Sequence, residues 1–241
     1  MGLAGLFGFD LPLNFDAPYR AQSIREFWRR WHMTLSRFLR DYLYIAMGGN
    51  RHGRVRRYVN LMVTMLLGGL WHGAAWTFVI WGGLHGLYLM VNHAWRRTGL
   101  PMPGAVGWLL SMLAVCFAWT FFRAEGFAAA LRMVEGMAGL NGVALAAEHQ
   151  ALLGPVGDFL AGLGVRFEGL PAVSLTHFPL FAALIAFALV APTSQRIMGW
   201  RSDTLSVVRV PGAWRASAAG IVLALGIVGI GQASQFIYFQ F

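Results

Sequence analysis

His72 and His85 are the two side chains whose type and setting point most directly to chemistry. Both stand before a glycine, in Leu-Trp-His-Gly (70 to 73) and Leu-His-Gly (84 to 86), inside a run from Tyr58 to Trp95 that holds no Asp, Glu, Lys or Arg. In so apolar a setting a polar side chain is costly unless something uses or satisfies it. A neutral imidazole is the least expensive acid–base group to place there, since it can take a hydroxyl proton at neutral pH and return it to a leaving group. Gly73 leaves space beside His72 for a substrate or a backbone, and Trp71 can wall the pocket. The competing reading makes His72 packing glue, hydrogen-bonded to a neighbouring carbonyl. His85, one turn after Trp81, reads as a structural or orienting group, and His32, between Trp31 and Met33, as an interfacial one. His52, His93, His149 and His177 fall in loops or at segment ends and are assigned no chemistry.

Metal chemistry fits poorly. Positions 72 and 85 lie about 220° apart around a straight helix, and no acid or cysteine stands near enough to complete a coordination shell. No metal and no bound cofactor is expected. Cys116, the only cysteine, excludes an intrachain disulfide and reads as a small core residue. The nucleophile elbow, the P-loop and the dinucleotide fingerprint are all missing, which leaves serine hydrolase and ATPase readings without support.

The elements that must position these histidines are helical. As one helix, the uncharged run 58 to 95 would extend about 57 Å, nearly twice the roughly 30 Å of a bilayer core, so it has to break. Gly68, Gly69 and Gly73 mark the expected break, giving segments 58–71 and 74–95 and placing His72 near the turn. Arg51, Arg54, Arg56 and Arg57 precede this hairpin and Arg96 and Arg97 follow it, so both basic clusters fall on one face, the cytoplasmic one. Upstream, Ser23-Ile-Arg-Glu26 has the form of a capping box. Apolar residues then recur at Ile24, Phe27, Trp28, Trp31, Leu35, Phe38, Leu39 and Leu43 with helical spacing, which predicts a basic amphipathic helix over 23–46 lying at the membrane interface. Further apolar segments are expected at 105–122, 175–192 and 217–238. The stretch 123 to 174, with three arginines and five acids, reads as an external loop carrying a short amphipathic helix near 127–138.

Composition agrees. With 57% hydrophobic and 12% charged residues, the chain reads as an all-α, polytopic membrane bundle organised as one domain or part of one. The net charge of +9 comes from arginines at the ends of apolar runs, where they orient helices and meet lipid head groups, so nucleic acid is not an expected partner.

Several motifs together resemble the membrane-bound O-acyltransferase family: Glu26-Phe-Trp-Arg-Arg-Trp-His32, Phe38-Leu-Arg-Asp-Tyr-Leu-Tyr44, Gly48-Gly-Asn-Arg51, Leu66-Leu-Gly-Gly-Leu-Trp-His-Gly73, Trp81-Gly-Gly-Leu-His-Gly86, Phe122-Arg-Ala124 and the terminal Phe236-Ile-Tyr-Phe-Gln-Phe241. The resemblance runs from residue 3 to the last, leaving out about 140 to 172, and corresponds to the C-terminal half of related proteins. It implies a multi-pass protein of the bacterial inner membrane that moves an acetyl group across it for O-acetylation of an exported polysaccharide such as alginate. His72 becomes the catalytic histidine and His32 the second histidine of the site. Trp71, Gly73, His85, Trp31, Asn50 and Arg51 become tunnel-lining or supporting residues. The implied donor is acetyl-CoA or another acetyl thioester, and the implied partners are periplasmic acetyltransferase components, with membrane lipid around the chain and the polysaccharide acceptor reached indirectly. Two other readings keep the fold: a non-catalytic scaffold or transport subunit of a polysaccharide-export complex, and an inactive truncated fragment.

Overall fold

The computed structural model describes residues 7–9, 11–168 and 178–197, with positions 217, 220, 221 and 224. The chain divides into two compact units, and Leu13–Ala191 holds every element discussed below except one. The other unit contributes, among the described residues, a short helix over Ser194–Ile197 and helical residues at 217, 220, 221 and 224. The expected segment 217–238 lies almost wholly outside the described residues.

The amphipathic region is not one helix. The capping box forms: the Ser23 hydroxyl accepts the Glu26 amide N–H at 3.1 Å, and the Glu26 carboxylate accepts the Gln22 amide N–H at 2.8 Å. From this cap α1 runs over Ile24–Arg30 and then stops. Trp31 is extended, His32 takes the left-handed conformation at φ 43°, and a second helix, α2, starts at once over Met33–Phe38. It passes into a π-helical turn over Leu39–Tyr44. The continuous helix expected over 23–46 is therefore corrected to two helices hinged at His32. Periodicity misses the break because the apolar stripe continues through it. The hinge is set instead by hydrogen bonds from the loop at residues 14 to 16.

The uncharged run forms a hairpin of two long helices, α3 over Gly53–His72 and α4 over Trp76–Thr98. Its break is at Gly73 alone. Gly68 and Gly69 lie inside α3, a second correction, and Gly69 serves packing rather than interruption. A Cβ on Gly69 would collide with the Phe78 carbonyl, and one on Gly82 with the Met65 carbonyl, so these two glycines let the helix backbones touch.

The third long helix, α5, spans Gly104–Arg123 and, among the described residues, is the one helix both long and apolar enough to cross a membrane. Leu109, Leu110 and Leu113 on it are half exposed or more. After it come α6 over Phe127–Met137, where an amphipathic helix is expected, and then β1 over Ala144–Ala146, α7 over Glu148–Leu153, α8 over Pro155–Gly162 and β2 over Arg166–Glu168. The two strands pair in parallel, Ala144 against Arg166 and Ala146 against Glu168. The fold is mostly helical, as expected, with this small ladder as an addition to it. Three-residue strands fall below the length at which alternation can be seen in sequence. An apolar helix, α9, covers Phe178–Val190 within the expected 175–192.

One core joins these elements. Ala21, Ile24, Phe27 and Trp28 pack with Met65 of α3, Trp81 and Leu89 of α4, Val115, Ala118 and Phe121 of α5, and Ala130 of α6. Helix α1 is thus wedged into the bundle through its aromatic face, which brings the Trp31–His32 hinge to the broken end of the hairpin.

Candidate active site at the hairpin break

His72 is the last residue of α3, where helical hydrogen bonding runs out. Gly73 caps the helix, its N–H donating to the Leu70 carbonyl at 3.2 Å, and α4 begins three residues later. The imidazole stands edge-to-face against three rings: Trp71 at 4.9 Å, Phe122 at 5.0 Å and Trp81 at 5.2 Å between centroids. Phe78 stacks at 6.4 Å. An aromatic cup holds the ring without consuming its nitrogens, and His72 remains partly open.

His32 reaches the same place from a different element. Trp71, largely exposed, stands edge-to-face to both the His72 ring, at 4.9 Å, and the His32 ring, at 6.3 Å. His32 Nδ1 is buried without a hydrogen-bond partner among the described residues. Partial burial holds the His32 imidazole below the ordinary histidine pKa of 6.5, which favours the neutral form. Trp31 faces away, stacked on Phe27 at 5.5 Å and near Phe15 at 5.0 Å and Trp119 at 5.7 Å, so it fixes the hinge rather than lining the opening.

His85 has a different environment. It is 0% exposed, and the Trp28 indole N–H donates to its Nδ1 at 3.3 Å. That bond fixes the tautomer, leaving the proton on Nε2. Trp81 stands between the two histidines, its ring 4.8 Å from His85 and 5.2 Å from His72.

Asn50 and Arg51 are not part of this cluster. Both are exposed, beyond the first residue of α3, and the 20 residues of that helix set them about 30 Å from His72. Asn60, 2% exposed, ties their loop down by donating to the Met47 and Gly49 carbonyls, each at 3.0 Å. Arg51, His52 and Arg56 line an open concavity of about 580 Å³ at that end.

Sequence reasoning missed three participants. Trp81 and Phe122 were visible only as motif members, and nothing local says that they wall His72. Asn14 carried no signal, since it sits in a loop and its partners are twenty positions away.

A helical, membrane-type chain with two histidines sharing one tryptophan at a helix break defines a class of helical membrane proteins with a site built at an interrupted hairpin. The sequence profile of the membrane-bound O-acyltransferase family matches residues 2–130, and the chain belongs to that family. It is 37% identical over 250 residues to a peptidoglycan O-acetyltransferase of Helicobacter pylori, covering 100% of this chain and 45% of that protein. It is 38% identical over 251 residues to a "Probable alginate O-acetylase AlgI" of Azotobacter vinelandii, covering 100% of this chain and 50% of that protein. A teichoic acid D-alanyltransferase of Streptococcus thermophilus is 35% identical over 108 residues, 40% of this chain and 25% of that protein. The chain spans about half the length of the first two.

Proposed function

We propose that this chain forms the histidine-bearing part of a multi-pass inner-membrane O-acetyltransferase, which passes acetyl groups toward hydroxyls of an exported cell-envelope polysaccharide such as alginate. The observation that carries this reading is the convergence of His72 and His32, forty positions apart, on Trp71. Acetyl rather than D-alanyl transfer is favoured because two O-acetylating relatives match the whole chain, whereas the D-alanyl relatives match 40% and 53% of it.

In this reading the His72 imidazole takes the acceptor hydroxyl proton as the oxygen attacks the carbonyl of acetyl-CoA or another acetyl thioester. The carbon–sulfur bond then breaks, and the proton passes to the departing thiolate. His32 holds a reacting group from beside Trp71, and His85, committed to Trp28, supports the wall through Trp81. The acetyl group is handed to periplasmic acetyltransferase partners that reach the polymer. His72→Ala in the full-length protein is expected to abolish polysaccharide acetylation at unchanged protein level, and retained acetylation would refute the assignment. A scaffold or transport subunit would instead yield no acetyl ester from labelled acetyl-CoA even with His72 intact.

A further inference from the structure

His32 occupies a backbone conformation that a histidine rarely adopts. Its φ of 43° and ψ of 53° lie in the left-handed region, where a side chain bearing a Cβ is crowded. Such a residue persists only when its surroundings over-determine it, and strain of this kind gathers at functional positions. The surroundings here can be named.

His32 is the N-cap of α2, yet its own side chain caps nothing. The capping is done by Asn14, from the loop before α1. The Asn14 side-chain carbonyl accepts both the Thr34 amide N–H, at 3.2 Å, and the Thr34 hydroxyl, at 2.8 Å, while its backbone carbonyl accepts the Met33 amide N–H, at 2.8 Å. Two residues on, the Asp16 amide N–H donates to the Arg30 carbonyl at 2.9 Å and closes the preceding helix end. The loop therefore clasps both sides of the hinge, and the Phe15 ring between the two anchors lies 5.9 Å from the imidazole. An N-cap residue normally spends its side chain on the amides of the first turn. Because Asn14 supplies that oxygen from outside, the His32 imidazole is left uncommitted and directed to Trp71.

We propose that Asn14 is a positioning residue for His32: by capping α2 in place of the hinge residue, it holds the left-handed conformation that presents the imidazole beside Trp71 and His72. This rests on the acetyl-transfer reading of His32, and the test separates the two. In the full-length protein, initial rates of acetyl transfer from acetyl-CoA are compared for N14A, N14D, T34V, H32A and the double variant N14A/H32A. Asn14→Ala is expected to lower kcat by roughly 10- to 100-fold with KM little changed, the cost of misplacing a reacting group by about an ångström. Asn14→Asp, whose carboxylate accepts the same two donors, is expected to recover most of the rate. Thr34→Val, which removes one of the three bonds, gives a smaller loss and carries the comparison if N14A fails to accumulate. The double variant is expected to be no slower than H32A, since a residue acting through His32 has nothing left to act on. Wild-type rates in both N14A and T34V, or a double variant showing the product of the two single losses, overturn the proposal while leaving His32 in place. Full activity of H32A overturns the His32 reading and this proposal with it.

Discussion

The break of one apolar hairpin and the middle of its second helix teach opposite lessons about the same side chain. His72 and His85 lie thirteen positions apart in a run without charge, each followed by glycine. At the break, His72 is ringed by aromatic side chains, has no hydrogen bond among the described residues and remains partly open. One helix later, His85 is fully enclosed, and Trp28, fifty-seven positions earlier, holds its Nδ1. A histidine at a helix end, walled by rings, keeps its lone pair and proton for a substrate. A histidine in mid-helix spends its lone pair on the fold, while its Nε2–H is buried with no partner among the described residues. Chain geometry makes this division, because a helix end exposes what a helix interior encloses.

The sharpest way to break the comparison is to remove each imidazole in turn. His72→Ala should lower acetyl transfer by about 10²- to 10⁴-fold, the usual contribution of a positioned acid–base group, with little change in thermal unfolding of the purified protein. The opposite pattern, stability lost and activity kept, would reverse the roles assigned to the two histidines. Next in size is Gly82→Ala, whose new methyl group meets the Met65 carbonyl on the facing helix. It is expected to cost about 1–3 kcal/mol or more and to lower the unfolding temperature, because two backbones have to part. A neutral outcome would mean that α3 and α4 separate more easily than their contact suggests.

His85→Leu should cost about 1–3 kcal/mol, since the Trp28 N–H is left buried without an acceptor. His85→Gln, which can still accept that bond, should lose less. Equal losses for the two variants, followed by unfolding in detergent, would show that ring packing and not the hydrogen bond matters at this position. The smallest effect concerns pH. Because the folded-state pKa of His32 is depressed below 6.5, the unfolded chain binds more protons below that value. The neutral His32 contribution is therefore complete above pH 6.5 and is lost as pH falls through the folded-state pKa. His32→Gln should flatten this part of the stability–pH curve between wild-type and variant, and superimposable curves would refute the assigned shift.

Much of this site was legible in the sequence, and what was legible was local. The cap at Ser23 and Glu26, the two halves of the hairpin and the turn after His72 each follow from relations spanning four residues or fewer, or from a charge-free run bounded by arginines. The family motifs likewise picked out His72 and His32. The continuous 23–46 helix failed for the same reason that the rest succeeded. Its apolar stripe is real, but the interruption at His32 is imposed by Asn14, and no local period records that. Asn50 and Arg51, expected as tunnel-lining or supporting residues by motif alone, lie the length of α3 away from His72.

The sequence by itself determined that the chain is helical and apolar, that its long uncharged run must turn, and that a histidine would stand at the turn. These follow from bilayer-scale hydropathy and the helical repeat, which are written within a few residues of each position. Only the tertiary structure decided which histidine remains free, that Trp71 is shared by His72 and His32, and that an asparagine from a preceding loop holds His32 in a left-handed hinge. Those outcomes depend on hydrogen bonds and ring contacts between residues twenty to sixty positions apart, and such partners meet only once the helices have packed.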